Sequence, residues 1–157
     1  IPTAPRCRGA LGGTRRRTQL KQMDVCAVGP LRVTSALFNK GLLGEGSKAV
    51  IITSQAGSAE WRFTQNPEGG DYGHHMSRAA CNIAGVLLAP ELRARGVAVV
   101  MLHPGFNRTE MTKKYEHIWE IEGAVDPNEG AKRVLHRGLR NRSRKRFGIN
   151  WGVDCPQ

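Results

Sequence analysis

Acidic side chains are missing from both ends of this chain. Residues 1–22 carry six Lys and Arg, residues 132–146 carry eight, and neither run holds an Asp or Glu. Between them, residues 23–131 balance ten basic against twelve acidic residues, so the net charge of +11 sits at the ends. Aromatic residues make up only 6% of the chain, and no Phe, Tyr or Trp interrupts either basic run. A nucleic-acid arm combines cations on phosphates with rings that stack on bases, so this scarcity argues against a nucleic-acid partner. It leaves solvated basic ends, or basic ends that touch an acidic partner.

Long apolar runs are also absent. Nothing approaches the roughly eighteen residues of a membrane-spanning segment, which excludes a membrane partner of that kind. Cysteine is sparse and scattered: Cys7, Cys26, Cys81 and Cys155 contain no C-x-x-C pair. That spacing suits reduced thiols in a cytoplasmic protein better than a disulfide framework or a zinc site. His74 and His75 are adjacent, so on a helix they point to different faces and make no metal pair. The first residue is Ile1 rather than Met, which points to a fragment or a processed product.

What is present alternates between two periodicities. Residues 1–18 show none and read as a disordered basic segment. Leu20, Met23, Ala27, Leu31, Ala36, Leu37 and Phe38 recur at helical spacing, interrupted at Gly29-Pro30 and closed at Lys40-Gly41. "KAVIITS", residues 48–54, is a short β-branched run and reads as a buried strand. Residues 55–71 look like a long loop. A second helix is expected over 72–95, stopped by Gly96 and kinked or shortened at Pro90, which costs on the order of 3 kcal/mol inside a helix. "VAVVMLHPG", residues 97–105, reads as another buried strand, followed by a loop, a helix near 126–137 and a last short strand around 147–151. Val50, Ile51, Ile52, Val99, Val100 and Leu102 are the expected core. Strand, helix, strand, helix, strand implies parallel pairing with right-handed crossovers, which is half of a doubly wound α/β sheet.

Four segments in order, "VGPLRVT", "KAVIITSQAGS", "HHMSRAACN" and "LHPGFNRTEM", resemble the C-terminal half of the short-chain dehydrogenase/reductase family over about residues 20–157. The tail "FGINWGVDCP" is similar to the closing strand of its small carbonyl-reductase-like, C-factor-like members. The resemblance implies an α/β fold with a Rossmann-like, doubly wound parallel sheet. Here the sheet is incomplete, because the N-terminal strands and the glycine-rich turn that meets the cofactor pyrophosphate are absent. "GALGGT", residues 9–14, follows no apolar run and is a poor imitation of that turn. Residues 19–157 would then form a partial NAD(P)-binding domain.

The resemblance further implies hydride transfer between NAD or NADP and a small carbonyl or alcohol substrate. It uses a tetrad of Asn, Ser, Tyr and Lys in which serine polarises the carbonyl, tyrosine gives the proton, and lysine lowers the tyrosine pKa. Ser54 matches the serine. Cys26 stands at the asparagine position in "VCAVGP", and a thiol has neither the amide's two donors nor its strong acceptor. His74 stands at the tyrosine position and Arg78 at the lysine position, four residues apart on one helix face. Tyr72 is the nearby phenol, about 200° around the helix from His74. Pro104, Gly105 and Thr109, with Arg78, match the segment that holds the nicotinamide end of the cofactor. Two functions follow. One is an oxidoreductase with a degraded tetrad. The other is a non-catalytic, pseudoenzyme-like module that forms a homodimer through helices near 19–40 and 72–95 and meets an acidic partner with its basic ends.

Overall fold

The computed structural model describes residues 16–140 and 149–150. The expectations for residues 1–15, for Cys7 and Cys155, and for the basic run beyond Arg140 lie outside the described residues. Helix α1 spans Arg16–Met23, starting inside the segment read as disordered, and runs through a π-helical turn, Asp24–Val28, into α2, Gly29–Asn39. The π turn explains how the helix survives Gly29-Pro30. A proline ring collides with the carbonyl four residues back, and widening the turn to five residues moves that carbonyl away. The amide of Gly29 accordingly donates to the carbonyl of Asp24.

Strand β1, Lys48–Ile52, and strand β2, Ala98–Leu102, pair in parallel, with Lys48 opposite Ala98 and Ile52 opposite Leu102. Strand β3, Ile149–Asn150, adds parallel to the far side of β2, giving the order β1-β2-β3. The β1–β2 crossover contains α3, Ala59–Gln65, and α4, Tyr72–Arg93; α5, Pro127–Arg140, follows β2. The expected α/β class and parallel pairing are therefore observed. The stretch read as a long loop, 55–71, is not one: it holds a 3₁₀ turn, Gln55–Gly57, and α3, whose first turn is capped by Ser58 Oγ accepting from the Trp61 amide at 3.3 Å. The segment 106–125 likewise contains a 3₁₀ helix, Glu110–Ile118.

Helix α4 is the scaffold of the molecule. Gly73, Ser77, Cys81, Gly85, Leu88 and Leu92 are buried along it; Gly73 faces Gln19 and Gln22 of α1, while Cys81, Gly85, Leu88 and Leu92 lie over the sheet with Ala49, Ile51, Val99 and Met101. Gly85 is required there, because a Cβ would stand 2.2 Å from Met101 Sδ, and Met101 is fully buried. Helix α4 does not end early at Pro90. The proline falls in the last turn, where the lost amide costs a single helical bond, and the helix continues to Arg93. Gly96, at φ +75°, then reverses the chain so that the Val97 amide donates to Leu92 O at 3.0 Å and β2 begins.

One expectation about the core is corrected. Ile51, Val99, Val100 and Leu102 are buried, but Val50 and Ile52 are 41% and 46% exposed. Strand residues alternate faces. In edge strand β1 the Ala49 and Ile51 side is covered by the main core, while on the other side Gly138 of α5 approaches Val50 and Leu102 and accepts from Lys48 Nζ at 3.0 Å.

Candidate active site

The carboxyl end of β1 delivers Thr53 and Ser54 to the start of α4. Ser54 is the residue before the 3₁₀ turn, and its Oγ accepts from the Ala56 amide at 3.1 Å. That bond fixes the side chain while leaving the hydroxyl proton free to donate. The turn itself is pinned onto α4 twice. His75 Nδ1 lies 3.1 Å from Ala56 O. Gly57 rests on the α4 backbone so closely that a Cβ would be 2.5 Å from the carbonyl carbon of Arg78 and 2.6 Å from the Ala79 nitrogen. The π turn that contains Cys26 also packs against α4. Three segments holding Ser54, Cys26 and the His74/Arg78 pair thus converge on one helix.

Tyr72 is placed elsewhere. It is the first residue of α4, 45% exposed, on the outward stripe that continues through Met76, Ile83 and Leu87. Cys26 is half-buried and carries a free thiol. Thr109 closes a capping box in which its amide donates to Thr112 Oγ1 at 2.9 Å and the two hydroxyls lie 3.3 Å apart. Gly105 has φ +86°, with open space where a Cβ would be, and its carbonyl accepts from Asn107 Nδ2 at 2.9 Å. The Pro104 carbonyl faces the same amide group at 3.4 Å.

Four residues that the sequence did not single out complete the site. Thr53 Oγ1 donates to Asn82 Oδ1 at 2.5 Å, joining the strand end to α4 through two buried polar side chains. His103, at the end of β2, hydrogen-bonds the Thr53 backbone and keeps a buried Nδ1 with no partner. Arg62 projects from α3 with a buried, unpartnered Nε, and the Nε of Arg78 is in the same condition. The "LHPG" quartet was the signal for His103. Nothing marked Arg62, because its helix was read as loop.

The site is electropositive. Although His74 retains contact with solvent, desolvation holds its imidazole below the ordinary histidine value, helped by His75, Arg78 and Arg62 and opposed only by Asp71. Burial lowers His103 as well, against its hydrogen bond to Thr53. These depressed values make a stability prediction. Both imidazoles bind a proton more readily in the unfolded chain, so their contribution is fully present above the unfolded value near 6.5. It is lost as pH falls from there through the folded values. Tm, followed by circular dichroism, is expected to drop between pH 7.5 and 5, with a visibly shallower slope in His103→Asn.

Among the described residues, no group of three His, Cys, Asp or Glu is arranged to hold a metal, and no helix is long and apolar enough to cross a membrane. No family model matches the chain. Two characterised bacterial proteins do. It is 36% identical to C-signal of Myxococcus xanthus over 147 residues, covering 94% of this chain and 83% of that protein. It is 38% identical to 1-hydroxy-2-glutathionyl-2-methyl-3-butene dehydrogenase of Rhodococcus sp. (strain AD45) over 117 residues. The chain belongs to the short-chain dehydrogenase/reductase family. The match covers 73% of this chain and 47% of the Rhodococcus protein, so the chain spans about half the length of that relative and most of C-signal.

Proposed function

We propose that this short-chain dehydrogenase/reductase carries part of an NAD(P)-dependent oxidoreductase site for a small carbonyl or alcohol compound, with a tetrad reduced in power by substitution. The observation that carries the reading is the Ser54 turn, locked against the helix that presents His74 and Arg78, in a chain of this family. The relative named as a dehydrogenase supports the redox chemistry. NAD or NADP supplies the hydride when bound. Ser54, Gly105, Thr109 and Arg78 are the residues that fit its nicotinamide end, Gly105 because nothing crowds the position of its missing side chain. No described residue supplies a glycine-rich pyrophosphate cradle.

In this reading the Ser54 hydroxyl, held by its acceptor bond from Ala56, donates to the carbonyl oxygen. His74 gives the proton that a tyrosine gives elsewhere, and Arg78 lends a fixed positive charge that favours the developing oxyanion. Titration of the purified protein with NADH and with NADPH, followed by nicotinamide fluorescence and then by pyruvate reduction, tests it. Saturable binding is expected, with turnover falling at least a hundredfold in Ser54→Ala. Failure of both cofactors to bind overturns it.

A second reading, the non-catalytic dimerising module, rests on the outward stripe of α4, where Ile83 and Leu87 are 55% and 64% exposed, and on the exposed Val25 and Val33 of the first helix pair. It places a homodimer on the helices near 19–40 and 72–95. The free thiols of Cys26 and Cys81 fit the cytoplasmic setting. Sedimentation is expected to show a dimer that Ile83→Glu with Leu87→Glu dissociates.

A further inference from the structure

Arg62 and Arg78 sit on different helices but are anchored by one turn. The Arg62 amide donates to Ser58 O at 3.1 Å, and Gly57, one residue earlier, lies on the backbone of Arg78. The five-residue stretch Ser54–Ser58 therefore ties the backbones of both arginines to the segment that carries the Ser54 hydroxyl. Each guanidinium has its Nε buried with no hydrogen-bond partner. The ion pairs formed among the described residues take neither of them. Arg62 donates through its terminal nitrogen to the side-chain carbonyl of Gln65, which is neutral. Both guanidinium charges lower the proton affinity of His74, and Asp71 is the acid that acts against them.

Two partly buried cations whose Nε groups have no hydrogen-bond partner are costly to hold, and the cost is recovered when a ligand brings the anion. The arginine fork offers two parallel N–H groups, matched to a planar carboxylate. We propose that Arg62 and Arg78 form a carboxylate clamp beside Ser54, so that the carbonyl compound taken by this site is an oxo acid. This rests on the reading of Ser54 as the carbonyl-binding hydroxyl. The clamp holds the carboxylate, and the neighbouring keto oxygen falls to Ser54. The phosphate of a cofactor is the other anion that two arginines can attract, and the test separates the two.

The full chain, ¹⁵N-labelled and free of cofactor, is titrated with pyruvate, with its neutral methyl ester and with inorganic phosphate. Pyruvate is expected to shift the amides of 54–62 and 74–78 saturably, with the methyl ester at least tenfold weaker. Arg62→Gln and Arg78→Gln each weaken pyruvate at least tenfold, Arg62→Lys recovers part of the loss, and Lys113→Gln, which removes an exposed cation, changes nothing. A bound carboxylate also raises the proton affinity of His74, read from its ring resonances, which a purely structural role for the arginines does not do. The proposal is overturned if pyruvate does not bind, if the ester binds as tightly, if phosphate competes equally, or if Arg62→Lys and both Gln variants match the wild type. Because no cofactor is present, failure of hydride transfer leaves this readout intact. Binding without turnover counts only against the reductase reading.

Discussion

Gly57→Ala is expected to cost about 3 kcal/mol, the upper part of the range for overpacking a tight contact. The added methyl would lie 2.5–2.6 Å from three backbone atoms of Arg78 and Ala79. Backbone in the middle of a helix cannot swing aside as a side-chain tip can, so the Ser54 turn must lift from α4. Lifting it also breaks the 3.1 Å contact between His75 Nδ1 and Ala56 O. Thermal unfolding is expected to show a Tm lower by roughly 6–12 °C, on the scale of 2–4 °C per kcal/mol for a chain of this size. Gly44→Ala is the control: its φ is ordinary and a Cβ there meets nothing within 4 Å, so Tm should stay put. Equal effects of the two substitutions would mean that the turn is not seated on the helix. The same lift displaces Ser54 and the turn that ties it to Arg62 and Arg78, so Gly57→Ala should also weaken pyruvate binding.

What the sequence made legible follows from where the physics is local. The long helix, read as 72–95 and observed as Tyr72–Arg93, declares itself because its buried stripe repeats every three to four residues and a glycine ends it. The strands declare themselves as β-branched runs. The tertiary facts were hidden. Val50 and Ile52 match Ile51 in composition, and only the position of β1 at the sheet edge exposes them. Residues 55–71, rich in Gly, Pro, Asn and Gln, look unstructured, yet Ser58 is a sound helix cap, and missing it concealed α3 and Arg62. Ser54, His74 and Arg78 could be aligned by pattern. That Gly57 and His75 lock them together could not, because neither residue type announces such a contact: His75 reaches back 19 positions to Ala56, and Gly57 rests on the backbone of Arg78.

His74→Tyr is expected to raise pyruvate reduction at pH 7 by at least a hundredfold, about 2.7 kcal/mol of barrier. The reason is the proton. An imidazole held below its ordinary pKa by desolvation and by the nearby Arg78 and Arg62 charges is mostly neutral at pH 7, and a neutral imidazole is a reluctant acid. A phenol at the same position keeps its proton at neutral pH, and the Arg78 charge four residues along stabilises the phenolate left behind. The arginine already supplies the charge that the family's lysine supplies, so Arg78→Lys alone should gain nothing without the phenol. The pH profile separates the donors. In the native chain kcat/KM should climb as pH falls below 6.5, because only protonated His74 can donate. In His74→Tyr that climb should disappear. A native profile flat through pH 5 would remove His74 from the chemistry, and a His74→Tyr protein that is folded, binds pyruvate and still fails to reduce it would place the deficit in cofactor capture rather than in the tetrad.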